Sequence, residues 1–230
     1  MFAINFKMKL KLFLSSLVNP NSKFKNTSYS QEGEDLIIKR FFEGKKSQLF
    51  YIDIGAHHPF RFSNTAIFYE NGSNGVNIEA NKNLFEALKN YRLRDENINV
   101  GVGLRSKSLK FYEFYESALS TFDEKIYESR IGDGWKLRQI SEIQVLTLAE
   151  ILKSLNINKQ IDFLNVDVEG LDLEVLESND WKLFRPTIVA VEIYNFSINY
   201  SCPIREFMKN VDYQFFAKTV NTVFFIDDLA

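Results

Sequence analysis

The stretch "FYIDIGAHHPF", residues 50–60, decides the fold. Phe50, Tyr51, Ile52 and Ile54 make a short apolar run of the kind buried on both faces of a parallel sheet. Asp53 stands at the strand's end and Gly55 opens the turn after it, as in the first strand of a nucleotide-binding sheet. A dinucleotide loop would need two more glycines, so that bare backbone N–H groups could approach a pyrophosphate. His57 and Phe60 stand there instead, and the intervening Pro59 has no N–H to offer. The chain also has no GxxxxGK[ST] phosphate loop. The turn therefore suits a ligand without phosphates.

Around this strand, apolar runs alternate with helical patterns. "EDLIIKRFFE" places Leu36, Ile37, Phe41 and Phe42 at helical spacing before it, and "NTAIFYENG" predicts a helix after it, stopped by Gly72. "GVNIEA" (75–80) and "INVGVG" (98–103) read as further strands, with an amphipathic helix in "NKNLFEALKNYRL" between them. The region 104–146 is less regular and holds one extra strand in "SLKFYEF". Thr147 and Glu150 have capping-box spacing and open a helix. "IDFLNVDVEG" (161–170) is a fourth strand running into the helix "LDLEVLES", and "PTIVAVEI" (186–193) is a fifth. "YQFFAKTV" and "NTVFFID" pair as a terminal hairpin joined near Asn221. Such alternation implies an open, mostly parallel α/β sheet with helices on both faces and its ligand beyond the carboxyl ends of the strands. Asp53, Glu79, Asp167, Glu169 and Glu192 all fall on that edge.

Length and composition agree with one domain. The chain has 230 residues, 45% hydrophobic and 25% charged, with 22 phenylalanines to fill a core. A formal net charge of −2 gives no basic field for nucleic acid. The single cysteine, Cys202, fits a reducing, cytoplasmic setting, and neither CxxC nor Cys/His metal spacings occur. Residues 1–28 form an N-terminal extension before a domain at 29–230. Its apolar start is broken by Lys7, Lys9 and Lys11, too short a span for a bilayer. We read it as a terminal helix, with peripheral contact to a membrane surface as the second reading.

Two carboxylates at strand ends suggest what the phosphate-free ligand is. Glu79 is placed to accept hydrogen bonds from a ribose diol, and Asp53 to face an ammonium group directly or through water. S-adenosylmethionine has that chemistry: ribose, α-ammonium and sulfonium. The plainer readings are a turn residue for Asp53 and a solvated strand end for Glu79.

The chain resembles the FkbM-type methyltransferases, a group that mostly methylates hydroxyls of sugars and natural products. The resemblance is carried by "YSQEGEDLII", "YIDIGAHHPFRFSNT", "GVNIEAN", "ALSTFDE", "VLTLAEIL", "IDFLNVDVEGLDLEVLES" and "PTIVAVEI", over roughly residues 29–193. The pattern usually has Lys where Asn165 stands and Glu where Asp172 stands. The resemblance implies a Rossmann-like class I methyltransferase fold with a seven-stranded sheet and a C-terminal antiparallel pair. It further implies that Asp53, Gly55 and Ala56 line the methionine end of the cofactor and Glu79 the ribose. Ala80 and Asn81 would then flank the adenosine, and Val100, Gly101 and Val102 would frame the adenine. Gly101 reads equally as a strand-end bend. Ser30 and Gln31 would reach over the cofactor, or Ser30 would cap a helix; Ser63, Asn64 and Thr65 are ambiguous in the same way.

Methyl transfer to oxygen also requires removal of the hydroxyl proton. Asp167, flanked by Val168 and Glu169 at the cofactor edge, is the first candidate base. His57 is the second, with an ordinary pKa near ~6.5, and Glu169 and Glu192 follow. His57 and His58 also read as hydrogen-bonded turn residues, and Glu169 as a brace for the turn at Gly170. Asp167, Glu169 and Glu192 would suit an oxygen-ligated cation if they converged; the reading commits to no metal. The expected activity is O-methylation of a glycan or small hydroxylated metabolite. The alternatives are N-methylation and a non-catalytic S-adenosylmethionine-binding protein.

Overall fold

The computed structural model describes residues 21, 24–193, 196–197 and 202–229, so the expected N-terminal extension lies largely outside the described residues. In chain order the elements are α1 (Glu34–Phe42), β1 (Phe50–Ile54), α2 (Ala66–Glu70), β2 (Asn74–Ile78), α3 (Lys82–Tyr91) and β3 (Glu96–Ile98). There follow β4 (Gly101–Val102), β5 (Lys107–Phe114), α4 (Glu124–Gly132), β6 (Leu137–Leu146) and α5 (Leu148–Ser154). The rest is β7 (Phe163–Val166), α6 (Asp172–Glu177), β8 (Ile188–Glu192), α7 (Pro203–Asn210), β9 (Tyr213–Lys218) and β10 (Thr222–Asp227).

Seven strands form one sheet in the order β3-β2-β1-β7-β8-β10-β9. β3, β2, β1, β7 and β8 run parallel, and the β9–β10 hairpin closes the end antiparallel to them. The apolar strands are continuous because successive side chains enter two different cores. Ile52, Ile54, Leu164 and Val166 pack on one face against Leu148 and Ile151 of α5 and Val175 of α6. Tyr51, Phe163, Ile188 and Phe224 pack on the other against Ile38 of α1 and Phe68 of α2. The winding reverses between β1 and β7, which leaves a crevice at their carboxyl ends.

Three expectations change. Asp53 is inside β1, one residue short of its end, paired in register with Asn165 of β7. The expected strand 98–103 is divided: Ile98 ends β3 in the large sheet, while Gly101 and Val102 join a second sheet of order β4-β6-β5. The division falls at Asn99, whose side-chain amide donates to the carbonyls of Glu79 (2.8 Å) and Ala80 (2.9 Å) and turns the chain away. The irregular region 104–146 is largely the long β5–β6 pair of that second sheet, with α4 between them.

The described ends of the chain clasp one another. The Glu32 carboxylate accepts the Asn221 backbone N–H at 3.0 Å, and Glu34 accepts the hydroxyls of Thr219 and Thr222 at 3.4 Å.

Candidate functional site

The crevice holds a cavity of about 380 Å³, within the roughly 300–1,000 Å³ range of small-ligand sites. Its floor is the turn after β1. Gly55 has φ +75°, and a Cβ there would stand 1.8 Å from the carbonyl oxygen of Asp167, so glycine is required at this approach. The Gly55 and Ala56 N–H groups donate to the Ile78 carbonyl at 3.0 and 3.2 Å, which ties the turn to the end of β2. His57 is also left-handed (φ 53°), and this aims its N–H at Glu79 Oε2, 2.7 Å away. Glu79 Oε1 accepts the Asn81 N–H at 2.7 Å. Burial pushes the Glu79 carboxyl up to about 7, against the pull of these N–H groups.

Asp53 is 2% exposed and touches the cavity wall. Its Oδ2 accepts the Thr65 hydroxyl at 2.7 Å and its Oδ1 accepts the Asn165 amide at 2.9 Å. Asn165 is oriented in turn by accepting the Asn64 amide at 2.9 Å. Burial raises the Asp53 pKa, while Thr65, Asn165 and the charge of Arg92 act to lower it.

Across the crevice, the turn after β7 presents Asp167, Val168 and Glu169 to the cavity. Asp172 accepts the N–H groups of Val168 and Gly170, both at 3.1 Å. The brace expected of Glu169 is thus made by Asp172, because Glu169 points instead to an ion pair with Arg130 of α4. Asp167, Glu169 and Glu192 each bring a carboxylate oxygen within 4.8 Å of the others. Asp167 is open to the cavity but walled by protein. That enclosure, with the charges of Glu192 and Glu169, holds its carboxyl well above the ordinary range. Three carboxylates so placed can share protons or present oxygens to a cation.

The second sheet and the loop beyond β5 cover the cavity. His57 Nε2 lies 2.8 Å from Ser117 Oγ, and Arg61 donates to both oxygens of Glu116 at 3.0 and 3.2 Å. Burial lowers the His57 pKa to about 4, which corrects the expectation of a group titrating near neutrality. His58 Nδ1 accepts the N–H groups of Phe60 and Arg61 and is a turn residue. Gln31, Ala80, Val100, Gly101 and Val102 line the cavity as expected, and the Phe122 ring packs on Gly101, where a Cβ would lie 2.7 Å from it. Asn81 does not line it; its side chain caps α3 by accepting the N–H groups of Asn83 and Leu84. Ser30 is also absent from the lining and bonds to Asp35. The sequence reading missed Arg61, Glu116, Ser117 and Phe122 as lining residues; only the position of Arg61 beside the turn hinted at its place.

A family model, described as the methyltransferase FkbM domain, matches residues 53–215. The chain belongs to that family. No curated protein sequence matches it. The match makes the chain a methyltransferase, and it spans the crevice from Asp53 through Glu192. Among the described residues no helix of this methyltransferase is long and apolar enough to cross a membrane.

Proposed function

We propose that this methyltransferase takes its methyl group from S-adenosylmethionine and delivers it to a hydroxyl oxygen of a sugar, glycan or small hydroxylated metabolite. The observation that carries the reading is the Glu79 carboxylate, held by two backbone N–H groups at the end of β2 and bordering the cavity. A buried carboxylate in that place is an acceptor for a diol and repels a phosphate. The donor set also fits the amino-acid end, because Asp53 offers negative charge beside the bare backbone of Gly55.

When bound, S-adenosylmethionine supplies an electrophilic methyl group on a sulfonium sulfur. In this reading Glu79 binds the ribose hydroxyls and Asp53 the α-ammonium. Val100, Gly101, Val102 and Phe122 give the adenine an apolar slot. Asp167 accepts the proton of the acceptor hydroxyl. Its raised pKa makes it a stronger proton acceptor once ionised, and the ionised fraction grows with pH. His57 is a weak acceptor with a pKa near 4, and its Nε2 is engaged with Ser117, so it positions the covering loop. The reading takes residues 29–230 as one catalytic unit in the cytoplasm, acting on a small-molecule or glycan acceptor and on no nucleic acid.

Thermal shift tests the donor. S-adenosylmethionine and S-adenosylhomocysteine should raise the melting temperature, while NADH and ATP should not, because His57, His58 and Pro59 occupy the turn that phosphates need. Equal stabilisation by NADH overturns the assignment. The acceptor class is tested by mass spectrometry of glycans incubated with enzyme and donor, where the product gains the mass of one methylene.

A further inference from the structure

Behind the cavity wall runs a buried polar chain that has no access to ligand. Arg92, the residue that ends α3, is wholly buried. Its Nε donates to Asp95 Oδ2 at 2.9 Å, and one terminal nitrogen donates to the Pro59 carbonyl at 3.1 Å. The other donates to the Tyr51 hydroxyl at 2.7 Å and to Thr65 Oγ1 at 3.0 Å. Thr65 is buried as well, and its hydroxyl reaches Asp53 Oδ2 at 2.7 Å.

The hydrogen-bond directions in this chain are fixed by chemistry. A guanidinium only donates, so Thr65 Oγ1 must accept from Arg92 and its single hydrogen goes to Asp53. A carboxylate two bonds removed from a buried cation is thereby aimed and kept charged, although Arg92 itself faces no ligand. Asp95, drawing on the same guanidinium and on Tyr51 at 2.8 Å, holds Arg92 in place from the other side.

We propose that Arg92 and Thr65 are positioning residues for the recognition of the cofactor's amino-acid end, acting through Asp53. This rests on the assignment of Asp53 to the α-ammonium under the proposed function.

The test compares two ligands with the same ribose, adenine and neutral sulfur. S-adenosylhomocysteine carries the ammonium-bearing tail and 5′-methylthioadenosine does not. Calorimetry of Thr65→Val should show S-adenosylhomocysteine weakened about tenfold, roughly one charge-assisted hydrogen bond. Binding of 5′-methylthioadenosine should change less than about twofold, and Thr65→Ser, which keeps the hydroxyl, should bind both like wild type. Asp53→Asn should give the same pattern, and adding Thr65→Val to it should cost nothing further, since a residue acting through Asp53 becomes silent once Asp53 is neutral. Arg92→Gln, if folded by circular dichroism, should follow Thr65→Val. Equal losses for both ligands, additive losses in the double variant, or no loss at all in Thr65→Val would each overturn the relay while leaving the cofactor assignment standing. Wild-type protein that binds neither ligand overturns both.

Discussion

The wall of the cavity built from β1, β2 and β7 differs from the wall built by the second sheet in what holds it together. On the first, backbone sets the geometry: Gly55 lies against the Asp167 carbonyl, and the Glu79 carboxylate sits on two N–H groups. On the second, side chains reach across: Arg61 to Glu116, His57 to Ser117, and Arg130 of α4 to Glu169. Strands buried on both faces fix the first wall, whereas β6 leaves most of its residues partly or fully open to solvent. Backbone contacts within a buried sheet break only with the fold, but exposed ion pairs are worth about 0–1 kcal/mol and can part singly. The first wall is thus suited to grip a ligand and the second to cover it.

The largest expected effect is on the first wall. Asp167→Asn keeps the side-chain size and should lower turnover by ~10²–10⁴-fold, measured as S-adenosylhomocysteine release. His57→Gln should cost far less. A dead His57→Gln beside a near-normal Asp167→Asn would exchange their roles.

Glu79→Ala comes next, with at least about a tenfold loss of affinity for S-adenosylhomocysteine by calorimetry. Glu79→Gln adds a pH signature. The folded pKa of Glu79, about 7, lies above its ordinary value of 4.5, so its contribution to stability is complete below about 4.5 and is lost as pH rises through 7. Asp172, raised by burial to about 6, acts in the same sense. The ligand-free melting temperature should therefore fall over that window, and less so in Glu79→Gln. Affinity should run the other way, rising with pH as Glu79 ionises. An unchanged melting profile in the variant would show that Glu79 is better solvated than its surroundings indicate.

The smallest effect belongs to the cover. Arg61→Ala should move the melting temperature by no more than about 2–4 °C, since its partner is exposed. Dissociation of S-adenosylhomocysteine should nevertheless become several-fold faster in stopped flow. An unchanged off-rate would mean that the cover does not restrain the ligand.

The same contrast decides what could be read from the sequence. β1, β7 and β8 were legible because their apolar runs are buried on both faces, and the α5 cap because Thr147 and Glu150 form the box their spacing implies. β5 and β6 were less so: a sheet with much of its surface in solvent imposes little alternation, and α4 buries none of its residues fully. At the site, Glu79 was legible from its place after an apolar strand. Asn81 was misjudged because helix capping, a local demand, claimed its side chain. Arg92 looked like one more surface charge in "NYRLRDEN", and only folding brings Asp95, Tyr51 and Thr65 around it.

The clasp between Glu32 and Asn221 bears on synthesis. Gln31 and Asn221 both line the cavity, one supplied early and the other late as the chain leaves the ribosome. β1, β2 and α3 can emerge and begin to pack well before then. The rim remains open until the β9–β10 hairpin has emerged and docked. A nascent chain stalled before residue 221 therefore presents an unfinished cup, and tight capture of the ligand marks a finished molecule.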